Sequence, residues 1–279
     1  MKRLTIALFA VTGLSVGLSQ IASAADLPVK APLYKATPEA VYNWTGFYVG
    51  GNAGWAWGNS SATSLFTCPD PVVAHCTRSI PANLAAFGNG ASGSSSPNAF
   101  TGGLQAGYNW QAGSAVYGLE TDFNAFHMSG SVSTTAAVTV PVGTFTSTET
   151  TSTNWLFTFR GRLGWTVTPT ALLYATGGLA VADVHVSNFY VDQFAAVSNT
   201  VTGASSNNVT KLGWTVGGGI EYALNRNWTA KVEYLYVDFG SVDTTLSTTV
   251  TPPKTTPNQM ATSADLHANI ARAGINYRF

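Results

Sequence analysis

From Phe47 onward, apolar and polar residues alternate with period two, and short turn-rich segments interrupt the alternation. That is the signature of β-strands with two chemically distinct faces. Eight such segments run at about 46–57, 98–110, 115–127, 154–166, 171–184, 209–224, 228–239 and 266–279. Each has roughly 11 to 16 residues, whereas strands of ordinary globular domains mostly have five or six and a tilted bilayer-crossing strand needs about 9–11. The connections alternate in length. Gln111-Ala112-Gly113-Ser114, Val167-Thr168-Pro169-Thr170 and Asn225-Arg226-Asn227 are tight turns, and between them lie long polar segments near 58–97, 129–153, 185–208 and 240–265. The expected fold is all-β: an eight-stranded antiparallel up-and-down transmembrane β-barrel with long extracellular loops and periplasmic termini.

Alternation leaves open which face turns outward, and side-chain size decides it. In the fourth segment Trp155, Phe157, Phe159, Leu163 and Trp165 share one face, against Thr158, Arg160, Arg162 and Gly164. The seventh sets Trp228, Val232, Tyr234 and Tyr236 against Thr229, Lys231 and Glu233. The interior of an eight-stranded barrel is just wide enough for side chains to fill, so the ring-rich face belongs outside. With that phase Glu120, Asp122, Arg160, Arg162, Lys211, Glu221, Lys231, Glu233, Arg272 and Arg278 all fall inside. The alternative, lipid exposure, costs about 2–4 kcal/mol for each Arg or Lys near the midplane. These ten charges are expected to pair across a narrow lumen as a largely plugged polar network, because a buried ion lacking its partner is strongly destabilising. The competing reading is a selectivity ring in a narrow, porin-like channel for small solutes or ions.

The start of the chain is a separate matter. Lys2 and Arg3 precede an apolar stretch that ends in Ala22-Ser23-Ala24, the pattern of an export signal over 1–24. Residues 25–43, with Pro28, Pro32 and Pro38, read as a disordered periplasmic leader, and 44–279 as the barrel. Only 9% of the 279 residues are charged, with 13 basic and 13 acidic, which excludes a broad basic face for nucleic acid. Cys68 and Cys76 stand in the first long segment of an exported chain, where a local disulfide is the natural pairing. His127, His185 and His267 fall near strand ends alongside Asp183, Asp243 and Asp265, a rim constellation that would activate water only if these groups converged. No HExxH, GxSxG or P-loop pattern accompanies them, so the residues imply no enzyme, cofactor or metal.

Ala24-Ala25-Asp26-Leu27-Pro28 followed by Trp44-Thr45-Gly46-Phe47-Tyr48-Val49-Gly50-Gly51-Asn52 resembles the small outer-membrane surface proteins of alphaproteobacteria, often labelled immunogenic or porin-family proteins. Gly107-Tyr108-Asn109-Trp110, Gly118-Leu119-Glu120-Thr121-Asp122-Phe123, Tyr174-Ala175-Thr176-Gly177-Gly178-Leu179-Ala180 and Val232-Glu233-Tyr234-Leu235-Tyr236 are similar to them as well. The resemblance implies an OmpA-like barrel in the Gram-negative outer membrane, with no catalytic residues to carry over. The alternating ending Ile275, Tyr277, Phe279 looks like the C-terminal signal read by the outer-membrane assembly machinery. Expected partners are therefore that machinery, outer-membrane lipids and lipopolysaccharide, and host or cell-surface molecules at the loops.

Overall fold

A computed structural model of the protein describes residues 42–67, 93–139, 142–194, 197–250 and 258–279. Residues 1–41, which hold the expected export signal and most of the leader, lie outside the described residues, as do Cys68 and Cys76. Eight long strands form one antiparallel sheet: β1 (Gly46–Thr67), β3 (Asn98–Ala112), β4 (Ala115–Thr139), β5 (Val142–Thr168), β6 (Ala171–Phe194), β7 (Val197–Ala223), β8 (Trp228–Val250) and β9 (Asn258–Arg278). A three-residue strand, β2 (Gly93–Ser95), adds to the far end of β1. Neighbours in sequence are neighbours in the sheet, and β1 pairs with β9 from Tyr48↔Arg278 to Thr67↔Gln259, closing the barrel.

The tight turns are built locally. Gly113 takes φ +62 at the β3–β4 corner, where the left-handed region favours glycine. At the β7–β8 corner the Asn225 side-chain oxygen accepts from the backbone N–H groups of Asn227 and Trp228, both at 2.9 Å. At the opposite end the strands run far past the expected bounds. The segments 129–153, 185–208 and 240–265, read from sequence as long loops, are mostly strand. Their Ser and Thr content looked loop-like, yet Thr is β-branched, and the hydroxyls pair in register. Ser133 meets Thr148 at 3.0 Å, Thr135 meets Thr146 at 2.9 Å, and Thr150 donates to Ser131 at 3.1 Å.

Two aromatic belts bound the apolar outer face. One, near the tight turns, contains Phe47, Tyr108, Trp110, Tyr117, Trp165, Trp228, Tyr277 and Phe279. The other contains Trp55, Trp57, Trp155, Trp214, Tyr234 and Tyr236. Trp165 and Trp155 are ten residues apart on β5, which at about 3.3 Å per residue and a tilt of about 45° gives roughly 23 Å of height. That matches the apolar band of a barrel that crosses a membrane. The strands continue beyond the second belt as a polar projection.

Candidate functional site: the charged lumen

The inward faces of β4, β5, β7, β8 and β9 bring eight of the ten expected charges together. Register does much of this: Glu120 stands opposite Arg160, and Glu233 opposite Arg272. Arg160 reaches Glu120 at 2.5 Å and Asp122 at 2.8 Å through Nη2, and Glu233 at 3.0 Å through Nη1. Lys231 donates to both oxygens of Glu120, at 2.8 and 2.9 Å. Arg272 lies 2.6 Å from Glu233 and 3.1 Å from Asp122. Arg162 pairs with Glu221 at 2.6 Å and lays its guanidinium 3.8 Å from the centroid of the Tyr174 ring.

Neutral groups complete the layer. Tyr48 donates to Glu120 at 2.7 Å and Tyr174 to Glu233 at 3.0 Å. Glu221 also accepts from Thr229 at 2.5 Å and from Asn276 at 2.9 Å. The two tyrosines are functional groups that parity alone missed, and each faces a glycine in register: Tyr48↔Gly107 and Tyr174↔Gly219. A Cβ on either glycine would run into the tyrosine ring. The signal was present in the glycines, but only the register shows which tyrosine each one accommodates.

Lys211 and Arg278 lie elsewhere, which corrects their assignment to this network. Lys211 sits where β7 leaves the membrane band and donates to the Ser241 carbonyl at 2.7 Å. Arg278 lies at the tight-turn end, donating to the Asn43 carbonyl with its guanidinium 4.5 Å from the Tyr42 ring. Their inward parity was right for mid-strand, but near strand ends the lumen opens to the rim. Without them the layer holds four carboxylates and four cations, so it is electrically balanced.

Apolar layers lie on either side. Toward the tight turns, Trp44, Val116, Leu172, Tyr174 and Ala223 pack together, with Trp44 only 1% exposed and its backbone N–H donating to the Gln111 side-chain oxygen at 2.7 Å. On the other side Phe126, Leu156, Leu235, Val237, Phe239 and Ile270 form a larger cluster. Outward, by contrast, Leu104 and Leu163 are 74% and 71% exposed.

Among the described residues no hydrogen bond or ion pair joins the rim histidines to Asp183, Asp243 or Asp265, although His267 stands opposite Asp238 in register. His127 is exposed, His185 bonds Asn208, and His267 stacks on Tyr236 with centroids 6.1 Å apart. Among the described residues, no cluster of three or more His, Cys, Asp or Glu has the geometry to hold a metal ion. Asp183 instead caps a β-bulge: the backbone N–H groups of Asn154 and Trp155, displaced from the ladder, donate to it at 2.9 and 3.0 Å. The Asn154 side-chain amide donates to its other oxygen at 2.9 Å, and that bond together with the two backbone ones holds the carboxyl below the usual carboxylate range, against the opposing effect of partial burial. Ile275 and Tyr277 lie at the end of β9 in the tight-turn belt, and Phe279, just past the strand, stacks on Phe47 at 5.7 Å.

The family model described as outer membrane protein beta-barrel domain matches residues 23–279. The 31 kDa outer-membrane immunogenic protein of Brucella melitensis is 36% identical over 264 residues, covering 92% of this chain and 93% of its own. The 22 kDa outer membrane protein of Rhizobium leguminosarum is 35% identical over 144 residues, 52% of this chain and 54% of its own. Among solved structures, the outer membrane protein OprG from Pseudomonas aeruginosa aligns with 86% of this chain and 99% of its own, with a TM-score of 0.45 and 13% identity.

Proposed function

The chain belongs to the outer membrane protein beta-barrel domain family, and from that premise we propose that it is a structural surface protein of the Gram-negative outer membrane with a sealed lumen. The belts anchor it among lipids and lipopolysaccharide. The polar projection beyond the second belt meets molecules outside the cell. The terminal strand, with Ile275, Tyr277 and Phe279 on its outward face, is the segment presented to the assembly machinery.

The observation that carries this reading is the balanced layer of eight paired, desolvated charges with apolar packing above and below it. An ion moving along the axis would have to break several charge-assisted hydrogen bonds and also cross packed side chains. Single-channel recording in planar bilayers tests it. The sealed barrel gives no stable conductance steps. Steps that change size when Arg160 or Glu233 is neutralised would overturn the reading in favour of a narrow channel.

A further inference from the structure

The barrel wall is split between β7 and β8 above the second belt. The two strands pair from Ala223↔Thr229 to Trp214↔Asp238, and again at Thr202↔Thr249 and Val201↔Val250. Between these, residues 203–213 of β7 and 239–248 of β8 have no partner in each other. Each keeps its other neighbour, β6 for β7 and β9 for β8. The cause lies in the lumen. Val242 packs with Val184 and Val186, and Asn188 of β6 donates to Thr244 of β8 at 3.1 Å, so β8 leans across toward β6. A bulge at Gly240, with φ +64, turns β8 into that path.

This stretch of β7 is left outside. Ser205, Asn207, Val209 and Lys211, on the parity that faces the lumen lower down, are not buried, and Ala204, Ser206, Asn208, Thr210 and Leu212 are exposed. An antiparallel strand directs the N–H and C=O groups of alternate residues to each edge, so a free edge of this length offers several main-chain donors and acceptors in register. Proteins often guard such edges with lysine. Here Lys211 spans the slot, its Nζ 2.7 Å from the Ser241 carbonyl.

We propose that the slot between β7 and β8 is a docking site for an extended, polar peptide segment of another protein, carrying a carboxylate at its membrane-proximal end. Main-chain pairing with residues 203–212 recognises the strand. The surrounding Ser, Thr and Asn side chains suit a polar segment. The carboxylate receives Lys211 when the incoming strand displaces it from Ser241. The inference extends the surface-interaction reading above, but conductance probes the lumen and the following test probes the slot, so each can fail alone.

The test uses the full mature protein in detergent micelles and two measurements. In amide hydrogen exchange, the alternate amides of 203–212 that point toward β8 exchange about tenfold faster or more than those of 215–222, whereas the ones bonded to β6 stay protected; equal protection of the β8-facing amides would mean the slot is zipped and overturn the proposal. For docking, the probe is a fluorescent synthetic peptide of sequence Ser-Val-Asp-Thr-Thr-Leu-Ser-Thr-Thr-Val, which matches β8 and sets its Asp near Lys211. Fluorescence anisotropy should show saturable binding that protects 203–212 and is lost when alternate peptide nitrogens on the pairing edge are methylated. Lys211→Ala should weaken this peptide about threefold while leaving its Asp→Asn version unchanged. No saturable binding, binding that survives methylation of the pairing edge, or protection of 203–212 that grows with protein concentration without peptide would each overturn it. The last result would assign the slot to a second copy.

Discussion

Glu120 and Arg160 stand opposite each other on β4 and β5, both fully buried, with Nη2 and Oε1 2.5 Å apart. Neither is satisfied by the other alone: Glu120 also accepts from Lys231 and Tyr48, and Arg160 also donates to Asp122 and Glu233. Such a cluster is costly to break from one side, because each removed partner strands a charge away from water. Glu120→Gln should therefore destabilise the barrel by about 3–5 kcal/mol. Urea unfolding in detergent measures this. The double variant Glu120→Gln, Lys231→Met removes one charge of each sign and should recover a large part of the loss; no recovery would mean that the network is not held by charge balance.

Phe159 and Arg160 are consecutive, yet Phe159 is 47% exposed and Arg160 is buried. Phe159 lies midway between the belts on β5, so its ring faces hydrocarbon. Phe159→Arg should cost about 2–4 kcal/mol in a lipid bilayer. Thr210→Arg, above the second belt, should cost little. The comparison is best made by unfolding in vesicles, and similar costs at the two positions would contradict the outward assignment of the aromatic face.

The strand faces were legible because period-two alternation and side-chain volume agree: Trp, Phe and Tyr are too large to line this lumen in number. The inward charges followed from the same parity. What parity does not carry is register and depth. Tyr48 and Tyr174 enter the lumen because Gly107 and Gly219 stand opposite them, a relation between distant segments. Lys211 and Arg278 share the inward parity but lie beyond the packed layer. The projection was hidden for a third reason. Ser and Thr runs such as 129–153 resemble loop composition, and only cross-strand hydroxyl pairs such as Thr135 with Thr146 reveal them as strand.

Trp44 closes the tight-turn mouth, buried against Val116, Leu172 and Tyr174. If the lumen is sealed at three successive layers, removing the first should not open a path. Trp44→Ala should lower stability by about 3–5 kcal/mol through the cavity it leaves, while planar-bilayer recordings remain without steps. Steady conductance in this variant would place the whole seal at Trp44 and strip the charged layer of its blocking role.

In the projection, the β-bulge near Asn154 reverses the parity of β5, so Glu149 turns inward and is 8% exposed. Burial pushes its carboxyl above the ordinary value of 4.5. A group whose pKa is raised on folding binds its proton more tightly in the native state, so stability is greatest below the unfolded value and falls as pH rises through the native one. Glu149→Gln keeps the shape and removes the ionisation. It should therefore stabilise the protein at neutral pH, and the advantage should shrink as the pH is lowered and vanish below about 4.5. Thermal unfolding of the two proteins across pH 3–8 checks the sign. An advantage that persisted at low pH would trace the effect to packing and not to the buried charge.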